Sequence, residues 1–163
     1  MKAQDVLKTC LKTTNLAVQS YLSDLSDADL FTRPHKECNH IAYQLGHVIS
    51  SNVEMLEAIC PGVAPKLPEG FAAAYTKENA SSDDPKKFHT KQQYLDLLNQ
   101  LNEAVNAGLA KTTEEQLDAP GPEQWRQWFP TVGDIWVLIV NHALMHCGQW
   151  VPARRILGKP IVI

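Results

Sequence analysis

The chain has 163 residues, 15 basic and 18 acidic side chains, a formal charge of −3 and 44% hydrophobic residues. That length suits one domain spanning residues 1–163, with a core large enough to fold without disulfides or a structural metal. The mixed charge, with no basic stripe interleaved by aromatics, excludes a surface that tracks a phosphate backbone. No apolar stretch reaches the length of a membrane span, and the N-terminus MKAQDVLKTC lacks the apolar segment of a leader. The expectation is a soluble, cytoplasmic protein without nucleic-acid or membrane partners.

Four long helices are predicted, and no strand pattern competes with them. The first runs from about Gln4 to Leu22, with Val6, Leu7, Leu11, Leu16, Val18 and Leu22 as its apolar face. The polar segment with Asp24, Asp27, Asp29 and Pro34 ends it. The second opens at Asn39, a good N-cap residue, carries Ile41, Leu45, Val48, Leu56 and Ile59, and stops at Pro61-Gly62. A connection from Pro61 to His89, rich in proline and glycine, is far longer than a helical hairpin needs, and it can set the second and third helices parallel. Thr90 caps the third helix, whose stripe is Tyr94, Leu97, Leu98, Leu101, Val105 and Leu109. A second proline-bearing loop, Thr112 to Pro130, leads to the fourth helix. That helix opens at Thr131 with Asp134 three residues on, as in a capping box, and is finished by Gly158 and Pro160. Pro152 lies inside it and predicts a bend, or alternatively a break. The fold class that follows is all-α, a four-helix bundle with one long crossover.

Cys10, Cys38, Cys60 and Cys147 are widely separated and have no Cys-x-x-Cys spacing, so four reduced thiols are expected. Cys147 diverges from His146 by about 100° on a helix and reads as a small core residue.

The chemical signal lies in TVGDIWVLIVNHALMHCGQWVPARRIL, residues 131–157. Ile135, Ile139, Trp150, Ala153 and Leu157 recur at helical steps, and His142 and His146 occupy the same inward arc. Side chains at i and i+4 are neighbours, so two imidazoles reach one point, as two metal ligands on one helix must. Burying both unpaired would cost free energy through desolvation, which a metal or specific hydrogen bonds would offset. A catalytic site of this kind takes a third protein ligand and keeps a position open. The candidates are His40 and His47 on the second helix. They stand about 10 Å apart along the axis, so only one can join the pair, and spacing does not choose between them. Periodicity alone leaves His47 on the flank of its helix, half-exposed.

The segments Ile41-Ala-Tyr-Gln-Leu-Gly-His47-Val and His142-Ala-Leu-Met-His146-Cys-Gly-Gln149 resemble the DinB-like superfamily, and the likeness covers nearly the whole chain. The resemblance implies an up-down-down-up four-helix bundle with a long second connection. It also implies a metal site made of one histidine from the second helix and an H-x-x-x-H pair from the fourth, here His47, His142 and His146. Gly148-Gln149, Arg155, Gly158 and Pro160 resemble the family's helix-four tail, into which Pro152 does not fit. Gln149 and Glu54 are candidates to orient a ligand ring, with solvated rim positions as the plainer reading.

Three neutral histidines leave a divalent ion, whether zinc, nickel or manganese, a strong Lewis acid. Water there would serve hydrolysis; a low-molecular-weight thiol would be presented as a thiolate. The family includes thiol-dependent transferases and isomerases, so the leading expectation is a metal-dependent S-transferase acting on a small-molecule substrate. A hydrolase is second, and the rival from another class is a non-catalytic dimeric metal-binding or stress-response bundle. A homodimer is expected by the same resemblance. Trp125, Trp128 and Phe129 form the largest aromatic cluster, read as a plug on the bundle's end or a dimer contact ahead of a pocket cover. Arg154 and Arg155 read as cations complementing the helix dipole ahead of a substrate-carboxylate contact.

Overall fold

The computed structural model describes residues 1–162. Its helices in chain order are α1 (Ala3–Leu22), α2 (Ile41–Ile59), the short α3 (Phe71–Ala74), α4 (Lys91–Lys111), the short α5 (Glu114–Asp118) and α6 (Val132–Ile156). The four long ones, α1, α2, α4 and α6, make an up-down-down-up bundle in which α6 packs on α1 and α2, and α4 closes the ring against both. The expected helices are all present, and the long second connection carries α3 and two short 3-10 turns.

Where the helices begin is a matter of side-chain chemistry. Thr90 accepts from the Gln93 backbone N–H, and Thr131 accepts from that of Asp134, each returned by the partner side chain. At α2 the expectation fails: the cap is His40, not Asn39. The His40 ring is fully buried against Phe31 and Phe88, at centroid distances of 4.8 Å each. Its Nε2–H donates to the Ser82 carbonyl at 3.0 Å, which leaves Nδ1 as the acceptor for the Tyr43 N–H, also at 3.0 Å. Asn39 contributes instead through its carbonyl, which accepts from the Gln44 side chain at 2.7 Å. The tertiary contact with the crossover overrides local cap preference.

The face of α1 also differs from expectation. Val6 and Leu16 are exposed, whereas Thr14 and Ala17 join Leu7, Leu11, Val18 and Leu22 inside. The true stripe steps by three and four, and Val6 and Leu16 fall off it. A hydroxyl thereby enters the core at Thr14.

The core has two layers. One, around Leu45, Ile49, Phe71, Tyr94 and Trp150, lies at the histidine end; the other, around Leu56, Leu101, Leu109, Ile135 and Trp136, lies at the opposite end. Trp136 and Trp150 are each fully buried, and removing an aromatic of that size from water is worth on the order of 4 kcal/mol. Trp125 and Phe129 pack on the second layer, near the start of α6, so the aromatic loop plugs that end and does not cover the histidines. Trp128 stays exposed.

The crossover is seated by Tyr75. Its ring lies flat on Gly46 of α2, where an added Cβ would fall 2.0 Å from the ring, so only glycine fits. The Tyr75 hydroxyl is held between Tyr94 Oη at 2.6 Å and His89 Nδ1 at 2.7 Å.

At its far end α6 runs unbroken through Pro152, which excludes the break. The carbonyl deprived of its donor is that of Gly148, which is exposed to solvent along with Pro152 itself. Arg154, expected simply to complement the dipole, is buried and does more. Its guanidinium donates to Asp24 Oδ1 at 2.5 Å, the Tyr21 carbonyl at 2.6 Å and the Pro160 carbonyl at 3.0 Å, stapling α6 to the end of α1. Arg155 is exposed.

Candidate metal centre

His47 on α2 and His142 and His146 on α6 come together, with one ring nitrogen of each within 4.8 Å of the others. The ring centroids stand 5.3 Å (His47–His142), 5.5 Å (His47–His146) and 5.1 Å (His142–His146) apart. His40, seven residues before His47, is the histidine left out: its two nitrogens are engaged at the helix cap and the Ser82 carbonyl. A tetrahedral ion bound by nitrogens at about 2.0–2.1 Å sets neighbouring donors about 3.4 Å apart. The observed spread is therefore wider than this by at most about 1.4 Å.

What fixes the rings is a set of neutral amides. Asn52, one turn beyond Val48 on α2, donates through Nδ2 to the Ile139 carbonyl at 3.0 Å, so its Oδ1 faces His142 Nδ1 at 2.9 Å. His142 must then carry its proton on Nδ1. Gln44 works in the same way one turn before His47. Its Nε2 is spent on the Asn39 carbonyl, and its Oε1 accepts from both Trp150 Nε1 at 2.9 Å and His146 Nδ1 at 3.1 Å. Gln149 Oε1 accepts from His146 Nδ1 as well, at 3.1 Å. His47 Nδ1 pairs with Ser51 Oγ at 3.4 Å, and the His47 ring lies parallel to that of Tyr43, tilted by 3°. At His142 and His146 the amide oxygens fix the proton on Nδ1, which leaves the Nε2 lone pair available. Outer partners of this kind, fixing tautomer and ring direction, are what metal-binding histidines require.

The electrostatics point the same way. Burial pushes the His142 pKa down to about 4, with the neighbouring His146 and His47 adding to the effect. Burial likewise lowers His146, assisted by His47 and opposed by its bond to Gln149, and burial lowers His47. All three are held neutral near pH 7, the state in which imidazole is a ligand. Cys147 points away into the core, its thiol pushed up to about 12 by burial, as its small-core reading expects.

Of the two orienting candidates read from the sequence, Gln149 touches the cluster and Glu54 is an exposed residue. Asn52 and Gln44 were not legible as such. Their signal is faint but present: two uncharged amides on the inward side of an apolar helix, flanking His47 at −3 and +5.

The sequence pattern of the DinB superfamily matches residues 11–150. A solved structure described as the crystal structure of the conserved protein of locus from Enterococcus faecalis is similar in fold, with a TM-score of 0.72 over 98% of this chain and 99% of that one, at 20% identity. At that identity the likeness is one of fold alone. No curated protein matches the chain.

Proposed function

The chain belongs to the DinB superfamily, and from that premise we propose that it is a divalent-metal-dependent enzyme, most specifically an S-transferase that joins a low-molecular-weight thiol to a small electrophilic substrate. His47, His142 and His146 would hold the ion. The observation that carries this reading is the convergence of three imidazoles within 4.8 Å, with the Nδ1 of each already paired. A divalent ion held by three neutral ligands keeps its charge and supplies Lewis acidity, lowering the pKa of a thiol or water that takes a remaining position.

Transfer is favoured over hydrolysis by the groups around the rings. Among the described residues no Asp or Glu belongs to the cluster, and the polar neighbours of the rings are Gln44, Asn52, Gln149 and Ser51. Metal hydrolases commonly draw on a carboxylate as general base, whereas a coordinated thiol is deprotonated outright and needs none. The chain's own task would then be to keep three ring nitrogens aligned, through Asn52, Gln44 and Gln149. His47 and His146 are only partly buried, so a substrate would reach the cluster past these two rings.

The test is metal content by elemental mass spectrometry on untagged protein, comparing the native chain with His47→Ala and His142→Ala. About one ion per chain, lost in both variants, supports the reading. No uptake after loading with zinc, nickel and manganese overturns it. The transferase version is tested separately: a thiol added to cobalt-loaded protein must change the d–d absorption bands, and unchanged bands leave a metal site without thiol chemistry.

A further inference from the structure

Of the four seams in the bundle, the one between α1 and α4 is packed most loosely. A cavity of about 200 Å³ opens there and reaches the inner faces of α2 and α6. Leu11 and Val18 of α1 and Leu98 and Val105 of α4 make its apolar walls, and Asn15, Asn99 and Asn102 stand at its rim. None of its lining side chains is charged. Natural cores hold few voids larger than a water molecule, so an opening of this size through the middle of a bundle calls for an occupant.

Thr14 says what kind. It is 2% exposed, lines the cavity, and its hydroxyl has no hydrogen-bond partner. The other threonines of this stretch behave differently: Thr9 and Thr13 each donate back to the carbonyl four residues earlier, at 2.9 and 3.1 Å. Thr14 does not turn back, and a buried hydroxyl left unpaired is destabilising. A water molecule on Thr14 would satisfy the hydroxyl but would leave the apolar walls of Leu11, Val18, Leu98 and Val105 without contacts. Asn52, the other buried polar residue of the lining, commits one N–H to the Ile139 carbonyl and accepts from His142 at Oδ1, so its second N–H is uncommitted.

We propose that this cavity is a binding site, separate from the histidine cluster, for an uncharged molecule of about one aromatic ring in size that carries a hydrogen-bonding group for the Thr14 hydroxyl. The size follows from the volume, since an apolar cavity of roughly 150 Å³ already accepts benzene. The absence of charge follows from the lining: a charged group here would be desolvated without a counter-ion. The apolar walls supply affinity, and Thr14 supplies orientation.

The site is tested by titrating the full chain, with and without zinc, with phenol, toluene and benzoate while following the methyl NMR signals of Val18, Leu98 and Val105. Phenol and toluene should shift these methyls saturably, and benzoate should not. Thr14→Val, which removes the hydroxyl and keeps the shape, should weaken phenol about fivefold and leave toluene within about twofold. Val105→Phe, which fills the cavity from the opposite wall, should abolish both. The proposal is overturned if phenol leaves these methyls unmoved, if Thr14→Val affects phenol and toluene alike, or if phenol still shifts Val18 and Leu98 in Val105→Phe.

Discussion

Asn52 Oδ1 lies 2.9 Å from His142 Nδ1 while the other end of the same amide is fixed on the Ile139 carbonyl at 3.0 Å. The amide is thus oriented by the backbone of the helix that carries the histidine, and it transmits that orientation to the ring.

Asn52→Ala should lower metal affinity by about 10–100-fold without abolishing binding, as loss of an outer partner typically does. The measurement is competition against a chromophoric chelator. An unchanged affinity would mean that the His142 ring is held by packing alone.

Gln44 serves two donors with one oxygen, so its removal should strike fold and site together. Gln44→Leu leaves the Trp150 indole N–H buried and unpaired, at a cost of about 1–3 kcal/mol in urea unfolding of the metal-free chain. A Gln44→Glu variant keeps an acceptor for both rings. It should retain more of the metal affinity than Gln44→Leu.

His40 gives the metal-free protein an acid-sensitive component. Its folded pKa lies below the ordinary 6.5, mainly through burial, so below about pH 6.5 the unfolded chain binds the proton that the folded chain refuses. Its contribution to stability is therefore fully present above pH 6.5 and is lost as pH falls toward the folded value. His40→Asn keeps a capping side chain and removes this titration. The variant should be less stable at pH 7.5 yet show a shallower decline between pH 6.5 and 5 in chemical denaturation; an unaltered slope would assign the acid sensitivity to other groups.

Arg154 and Asp24 should differ as deletion sites. Arg154→Ala strips partners from the Tyr21 and Pro160 carbonyls as well as from Asp24, whereas Asp24→Ala leaves Arg154 its two carbonyl acceptors. Thermal unfolding should therefore show the larger drop for Arg154→Ala. Equal drops would reduce the staple to its ion pair.

The long helices and the H-x-x-x-H pair were legible because both obey the 3.6-residue period, which local sequence exposes directly. The third histidine was not chosen by spacing, since His40 and His47 share a face of α2. What separates them is the crossover: Ser82 and Phe88, some forty residues on, claim His40 for the helix cap. Arg154 was misjudged for the same kind of reason. Its position at a helix end suggested a dipole contact, and the partner that buries it lies at the end of α1. Val6 and Leu16 show the limit of apolarity itself, for the bundle took Thr14 inside in preference to either.

The seating of Tyr75 on Gly46 ties the crossover to the neighbour of a candidate ligand. Connections in helical bundles usually drift freely in length and sequence because they touch little. Here the residue directly before His47 is bare backbone pressed by a phenol ring that two further side chains hold in place. Any enlargement at position 46 lifts the connection off α2 and uncovers the ring of Tyr43, which lies parallel to that of His47, so the seat of this loop is coupled to the surroundings of that histidine.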